Sequence, residues 1–206
     1  MAESIQNSGC LTVDQAKQKL ETTGDLSCQE LDDANKDARA NELDPKATPD
    51  GYALTIAARK PANGPPKLMK AVSAGNAPKK EFRDGYQGPV KEKTRPACSG
   101  GGGYDAQRKN DSETKILDPE MRAGNGGSIK MKIFHQSPGE NGNLVQDEMP
   151  CISCRKSICG ANACGITVIL CNKNNEEVPA NEMCDGATPK GTGSTSDPLW
   201  VGKGFA

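Results

Sequence analysis

The sequence predicts an α/β fold in which helices cover the faces of a mixed β-sheet. Apolar residues recur at steps of three and four across residues 13–41, which is the period of amphipathic helices. Residues 52–59 and 67–73 alternate moderately between apolar and polar side chains, as strands do. Residues 166–171 (ITVILC) form a continuous, largely apolar run rich in β-branched residues, which is typical of a buried strand. The order helix, hairpin, helix, strand, helix, strand favours a sheet between helices.

The first 45 residues predict two helices in an acidic N-terminal extension. Residues 22–25 (TTGD) interrupt the helical pattern, and Ser27 with Glu30 three residues later matches a capping box for the second helix. We therefore expect residues 1–45 to form a helical extension and residues 46–206 to form the main domain.

The main domain begins with a predicted hairpin and a long basic loop. The turn 61–66 (PANGPP) separates the two hairpin strands. Residues 74–104 show no period, are rich in Gly, Pro and Lys, and end in glycines 100–103. A loop of this length inside a compact domain is usually functional or mobile.

Three further elements follow this loop. Residues 111–117 predict a short helix that ends before Pro119. Residues 128–135 predict a strand with its apolar side chains on one face. Residues 151–163 predict a helix, because Pro150 precedes its start and a glycine follows its end.

The composition predicts one domain with long loops. The chain has 206 residues, of which 34% are hydrophobic and 3% aromatic, with 23 Gly and 14 Pro. This length suffices for one core, and the low apolar content predicts loops. No apolar run reaches 18 residues, so we expect no membrane insertion. The N-terminus lacks a basic stretch followed by an apolar one, so we expect no signal peptide.

Charge is distributed unevenly along the chain. Residues 1–50 hold 5 basic and 11 acidic groups, residues 51–100 hold 10 and 3, and residues 101–206 hold 11 and 13. The middle third is therefore a candidate surface for a polyanion. The alternative is a solvated basic loop that offsets the acidic first third.

Nine cysteines are present, six of them within residues 151–184. Without an export signal, we expect reduced thiols, some of them bound to metal. A disulfide-stabilised secreted protein is the alternative interpretation.

Two motifs carry candidate chemistry: Asp111-Ser112-Glu113, and Cys151 and Cys154 in the segment PCISC. Two thiols three residues apart at a helix start can bind one metal ion. A carboxylate two residues after a third ligand can reach a water on that ion. This pattern matches the zinc deaminase signature, a ligand-x-Glu followed by Pro-Cys-x-x-Cys.

Residues 108–117 (RKNDSETKIL), 127–130 (GSIK) and 150–154 (PCISC) resemble the deaminase domains of bacterial polymorphic toxins in the cytidine deaminase-like superfamily. Some members of that group have Asp rather than His as first ligand. The resemblance covers about residues 104–172 well and residues 52–73 loosely. It implies a three-layer α/β/α sandwich with about five strands, and a nucleobase substrate, in single-stranded DNA or RNA. It also implies a cognate immunity protein, delivery by a specialised secretion system and action in the cytoplasm of a target cell.

Carried onto this chain, the resemblance implies Asp111, Cys151 and Cys154 as ligands of Zn²⁺, with water in the fourth position. Glu113 then takes the proton of that water and delivers it to the ring nitrogen beside the attacked carbon. The substrate would be cytosine or cytidine, and the preference for cytosine over adenine rests on the resemblance.

Charged and aromatic side chains of the basic stretch are candidate contacts to a single strand, because bases stack on aromatic rings and phosphates pair with cations. The predicted substrate-binding residues are Lys79, Lys80, Arg83, Tyr86 and Arg108.

Other ligand sets remain open from the sequence. His135, the single histidine, can replace Asp111 as third ligand. Later cysteines, namely Cys159, Cys164, Cys171 and Cys184, can instead complete a closed four-cysteine structural site. A non-catalytic, zinc-stabilised interaction module is the alternative to the enzyme.

Overall fold

The computed structural model describes residues 10–48, 51–75, 77–104, 108–138, 144–194 and 196–205. Within them the α-helices are α1 (Val13–Thr23), α2 (Cys28–Asp37), α3 (Ser112–Ala123), α4 (Ile152–Ala163) and α5 (Pro198–Gly202). The strands are β1 (Tyr52–Lys60), β2 (Lys67–Val72), β3 (Ser128–Pro138), β4 (Leu144–Asp147), β5 (Thr167–Cys171), β6 (Glu177–Pro179), β7 (Cys184–Asp185) and β8 (Thr188–Pro189).

The main sheet is mixed and has six strands. Its order is β2-β1-β3-β5-β6, and β4 pairs with the end of β3. The central pair β3 and β5 is parallel, whereas the other pairs are antiparallel. The predicted α/β class is therefore confirmed. The sheet exceeds the expected five strands because β4 adds a short segment that has no apolar alternation to reveal it.

Helices cover both faces of this sheet. On one face, Leu20 of α1 and Leu31 of α2 share a hydrophobic cluster with Ile56 of β1. On the other face, Ile116 of α3 and Ile158 of α4 share a second cluster with alternate residues of β3. Residues 1–45, predicted as an extension, thus contribute two helices that form one of the three layers.

Acidic side chains near the N-terminal helices pair with lysines of the sheet. Lys130 of β3 contacts Asp25 at 3.0 Å, and Lys70 of β2 contacts Glu42 at 2.6 Å. Part of the charge asymmetry along the sequence is therefore neutralised inside the molecule.

Helix α3 extends beyond its predicted end. It continues through Pro119 to Ala123, so the prediction that it ends before the proline is wrong. A proline inside a helix costs about 3 kcal/mol. The turn after it is stabilised by buried Met121 and by Glu120, which accepts a hydrogen bond from buried Arg59 at 2.8 Å. These tertiary contacts outweigh the local preference.

Three disulfides correct the expectation of reduced thiols. They link Cys28 with Cys171, Cys98 with Cys164, and Cys159 with Cys184. The closed four-cysteine site is therefore also wrong, because every later cysteine proposed to complete it is paired in a disulfide. The sequence did not reveal this pairing, because Cys98 lies 66 residues from Cys164 and Cys28 lies 143 residues from Cys171.

The basic loop contains short structure. Residues Lys80–Gly85 and Ala97–Ser99 form 3₁₀ turns. The second turn carries Cys98 and lies against α4, where an added methyl at Gly160 would come 2.7 Å from Ser99 Cβ. Among the described residues, no helix has the length and apolar character needed to cross a bilayer.

Candidate metal centre

The N-termini of α3 and α4 supply the candidate ligands. Asp111 is the N-cap residue of α3, but its side chain caps no backbone amide. Cys151 is the N-cap residue of α4, where its Sγ accepts a hydrogen bond from the Cys154 backbone N–H at 3.4 Å. The two helices pack side by side on the same face of the sheet, so their first turns meet.

The three side chains converge at this point. Asp111 Oδ2 lies 3.7 Å from Cys151 Sγ and 3.4 Å from Cys154 Sγ. The two sulfurs are 3.0 Å apart, too far for a disulfide bond, and both thiols are free. Asp111, Cys151 and Cys154 therefore form a possible metal-binding group, with one ligand atom of each within 4.8 Å of the others.

These spacings suit a tetrahedral ion. Ligand distances of about 2.3 Å for sulfur and about 2.1 Å for oxygen place a sulfur and an oxygen about 3.6 Å apart at the tetrahedral angle. The observed sulfur–oxygen distances of 3.4 and 3.7 Å bracket that value. The sulfur pair, at 3.0 Å, has to open by about 0.7 Å to reach the sulfur–sulfur separation of such a site.

Glu113 lies beside the ligands in the first turn of α3. Its side chain is buried, with 2% of the residue exposed. Ser112 Oγ donates to Glu113 Oε2 at 2.9 Å, and Ser112 Oγ is also 2.8 Å from Thr55 Oγ1 of β1. Glu113 and Cys154 are close enough for each group to affect the pKa of the other. These contacts fix the carboxyl group against the sulfur pair and away from solvent.

The surroundings alter the acidity of this group. Burial raises the pKa of Glu113, and the nearby Asp111 carboxylate raises it further, whereas hydrogen bonds from the backbone and from Ser112 lower it. The hydrogen bond with Cys154 lowers the pKa of Cys151. The hydrogen bond with Cys151, together with burial, raises the pKa of Cys154.

His135, the competing third ligand, takes another partner. Its Nδ1 lies 3.4 Å from Asp147 Oδ2 of the neighbouring strand β4. The hydrogen bond with Asp147 raises the pKa of His135 above its usual value, and the charges of Glu113 and Cys151 add to this effect. His135 is therefore near the site but outside the group of three converging side chains.

Arg108 is the one predicted substrate-binding residue that contacts the ligands. Its Nη1 lies 3.7 Å from Asp111 Oδ1 and 3.8 Å from Cys151 Sγ.

The other predicted contacts are held elsewhere. Tyr86 donates to Glu42 at 2.7 Å, and Lys79 donates to the carbonyl oxygen of Asn41 at 2.6 Å. Arg83 and Tyr86 line a small separate pocket of about 130 Å³. Lys80 is the first residue of the 3₁₀ turn Lys80–Gly85, which also contains Arg83.

Two cations near the site, Arg95 of the basic stretch and Lys156 of α4, are absent from the predicted substrate-binding residues. Arg95 reaches α4, where Nη1 donates to Ser157 Oγ at 2.8 Å and Nη2 to Ser153 Oγ at 3.2 Å. Lys156 lines a cleft together with Arg95 and Arg108. In the predicted helix 151–163, Lys156 lies one turn after Ile152, so the two side chains are neighbours on one face of the helix. This spacing was the available sequence signal that Lys156 lies close to the start of that helix.

Comparison with known proteins returned no similar chain. No family model, no curated protein and no solved structure matches this sequence or fold at a significant level.

Proposed function

We propose that this protein is a zinc-dependent deaminase that hydrolyses cytosine or cytidine to uracil or uridine with release of ammonia. One observation carries the proposal: a buried glutamate lies against a cluster of one carboxylate and two thiols at the paired starts of α3 and α4. This is the constellation that a ligand-x-Glu and Pro-Cys-x-x-Cys enzyme needs.

Zinc is the proposed ion because the donor set combines two thiolates with one carboxylate. Thiolate ligands favour zinc over magnesium or calcium, and three protein ligands leave a fourth position open, as catalytic zinc sites do. When bound there, zinc acts as a Lewis acid that lowers the pKa of water to about 7.

Glu113 performs the proton transfers in this proposal. Its carboxylate takes a proton from the attacking water and delivers it to the ring nitrogen beside the attacked carbon. It then takes the proton of the hydroxyl group added to the ring and passes it to the amino group, so that the carbonyl forms as the C–N bond breaks and ammonia leaves. Its buried position supports this role, because a carboxyl group out of water is held in one geometry and exchanges protons with few competitors. Ser112 and Thr55 orient it through their linked hydroxyls.

The biological setting is proposed from the sequence resemblance. A nucleobase in single-stranded DNA or RNA is the substrate, the domain acts as an interbacterial toxin delivered by a secretion system, and a cognate immunity protein blocks it in the producing cell.

The test compares wild type with Glu113→Gln. We expect wild-type protein loaded with zinc to convert cytosine to uracil in single-stranded DNA, RNA or free cytidine, detected by mass spectrometry of the products. Glu113→Gln keeps the shape and hydrogen-bonding reach of the side chain but removes the proton acceptor. It should retain zinc and fold and lose at least about 100-fold in rate.

Exposed Glu21→Gln on α1 is the matched control and should keep full activity. Equal activity of wild type and Glu113→Gln would reject the mechanism. No uracil from any substrate, with zinc bound, would favour a zinc-stabilised interaction module.

A further inference from the structure

A cationic cleft lies beside the metal centre. It encloses about 560 Å³ between glycines 100–103, the start of α4 and the β7–β8 hairpin. Among the described residues that line it, three are basic and none is acidic: Arg95, Arg108 and Lys156. The other large clefts that the structure describes carry acidic side chains.

The cleft is continuous with the proposed active site. Arg108 lines the cleft and also contacts Asp111 and Cys151, at 3.7 and 3.8 Å. Ile152 and Ser153, which also line it, lie between the two ligand cysteines in the chain. A ligand in the cleft therefore lies next to any base at the metal centre.

Two of the cations carry charge without a carboxylate partner among the described residues. Arg95 is held by two serine hydroxyls of α4 and by the face of Tyr104, whose ring centroid is 4.6 Å from the guanidinium carbon. Its charge is thus positioned but not neutralised. Lys156 is exposed, and no ion pair or hydrogen bond of its side chain is found in the described part of the chain.

Disulfides fix both walls of the cleft to the same helix. Cys98 lies in the 3₁₀ turn Ala97–Ser99, which directly precedes glycines 100–103. It is linked to Cys164 at the end of α4. Cys184, which begins the β7–β8 hairpin, is linked to Cys159 within α4. Cross-linked walls hold the cleft open before a ligand arrives, and such preorganisation reduces the entropy cost of binding.

We propose that this cleft binds the phosphodiester backbone of a single-stranded polynucleotide next to the target nucleotide. The proposal rests on the proposed deaminase function and identifies the surface that holds the strand on either side of the target nucleotide. Arg95 and Lys156, which have no carboxylate partner among the described residues, lie with Arg108 along one cleft and match a chain of phosphates, whereas a free nucleoside has no charge to engage them. Ile152, 44% exposed at the mouth of the cleft, offers an apolar surface to a sugar or base.

The test measures binding of a fluorescein-labelled single strand that lacks cytosine, by anisotropy, between about 50 and 200 mM salt. Lys156→Ala removes a charge without removing an internal contact. We expect it to weaken binding several-fold and to reduce the slope of log affinity against log salt by about 0.7. Lys156→Glu should weaken binding further. Lys17→Ala, which removes an equal charge from the exposed side of α1, should leave both quantities unchanged.

Equal effects of Lys156→Ala and Lys17→Ala would overturn the proposal. So would competition by cytidine monophosphate as strong as that by the strand, since it would indicate a mononucleotide site. The probe contains no cytosine and no turnover is measured, so the result is independent of the deaminase proposal. Strand binding without any uracil formation would support the proposal for the cleft and contradict the deaminase proposal. Uracil formation that is unaffected by Lys156→Glu would support the deaminase proposal and contradict the proposal for the cleft.

Discussion

At the scale of single residues, the proposed chemistry depends on two acidic positions at the start of α3. Asp111 precedes α3 and turns its carboxylate to the sulfurs, while Glu113 lies two residues later and is buried behind them. The sequence predicted both acids and both thiols, because their local spacings follow from helix geometry. It left the third ligand open, because the distance between residues 111 and 151 is set by the packing of α3 on α4.

The identity of that ligand gives a direct prediction. Asp111→Ala should lose zinc. Loss of a residue that only supports a metal ligand typically reduces metal affinity about 10–100-fold, and loss of Asp111 should reduce it further. His135→Ala should retain zinc, because its ring pairs with Asp147. Zinc titration with a competing chelator measures both affinities.

Circular dichroism provides the control for folding in that comparison. Asp111 makes no cap hydrogen bond, so its removal should leave α3 intact. Zinc loss in His135→Ala with retention in Asp111→Ala would reverse the assignment.

At the scale of elements, contacts between residues far apart in the chain determine features of the helices and strands that local sequence patterns did not predict. Pro119 predicted the end of α3, yet the helix continues because Glu120 bonds to Arg59 of β1 and to Lys67 of β2. Strand β4 and the short β7–β8 hairpin gave no periodic signal, since each is too short for one. The longer elements, whose burial follows a period, were predicted from the sequence.

The Glu120 cluster predicts how stability depends on pH. Burial raises the pKa of Glu120, but hydrogen bonds from Lys67 and Arg59 outweigh it and leave the pKa below its ordinary value. The ionised form is therefore favoured by folding. Its stabilisation is complete above the ordinary pKa of about 4.3 and disappears as pH falls through the lower folded value.

Glu120→Gln should accordingly lower the free energy of unfolding by about 3 kcal/mol at pH 7, because it leaves the Arg59 charge buried without its partner. The difference from wild type should shrink below about pH 4. Urea denaturation at both pH values measures it, and exposed Glu21→Gln serves as the control. A difference that is the same at acid and neutral pH would contradict the ion-pair explanation.

At the scale of the whole molecule, cross-links join the layers. The disulfide between Cys28 and Cys171 fastens α2 to the central sheet, and the other two fasten surface segments to α4. Such bonds require an oxidising environment to form. The sequence revealed the number of cysteines but not their pairing, because partners 25 to 143 residues apart meet only in the folded chain.

Thiol counting tests this arrangement. Protein denatured without reductant and with chelator should show three free thiols, those of Cys10, Cys151 and Cys154. A count of nine would indicate a fully reduced chain. Reduction should destabilise the fold, since each closed loop contributes about 3–5 kcal/mol in the chain-entropy model.

The central claim is that α3 and α4 hold one zinc ion between a carboxylate and two thiols, with a position left for water. X-ray absorption at the zinc edge, on protein with its disulfides intact, tests this most directly. The account predicts one zinc per chain bound by two sulfurs at about 2.3 Å and by oxygen atoms at about 2.0–2.2 Å. A shell of four sulfurs, or a protein that binds no zinc, would contradict it.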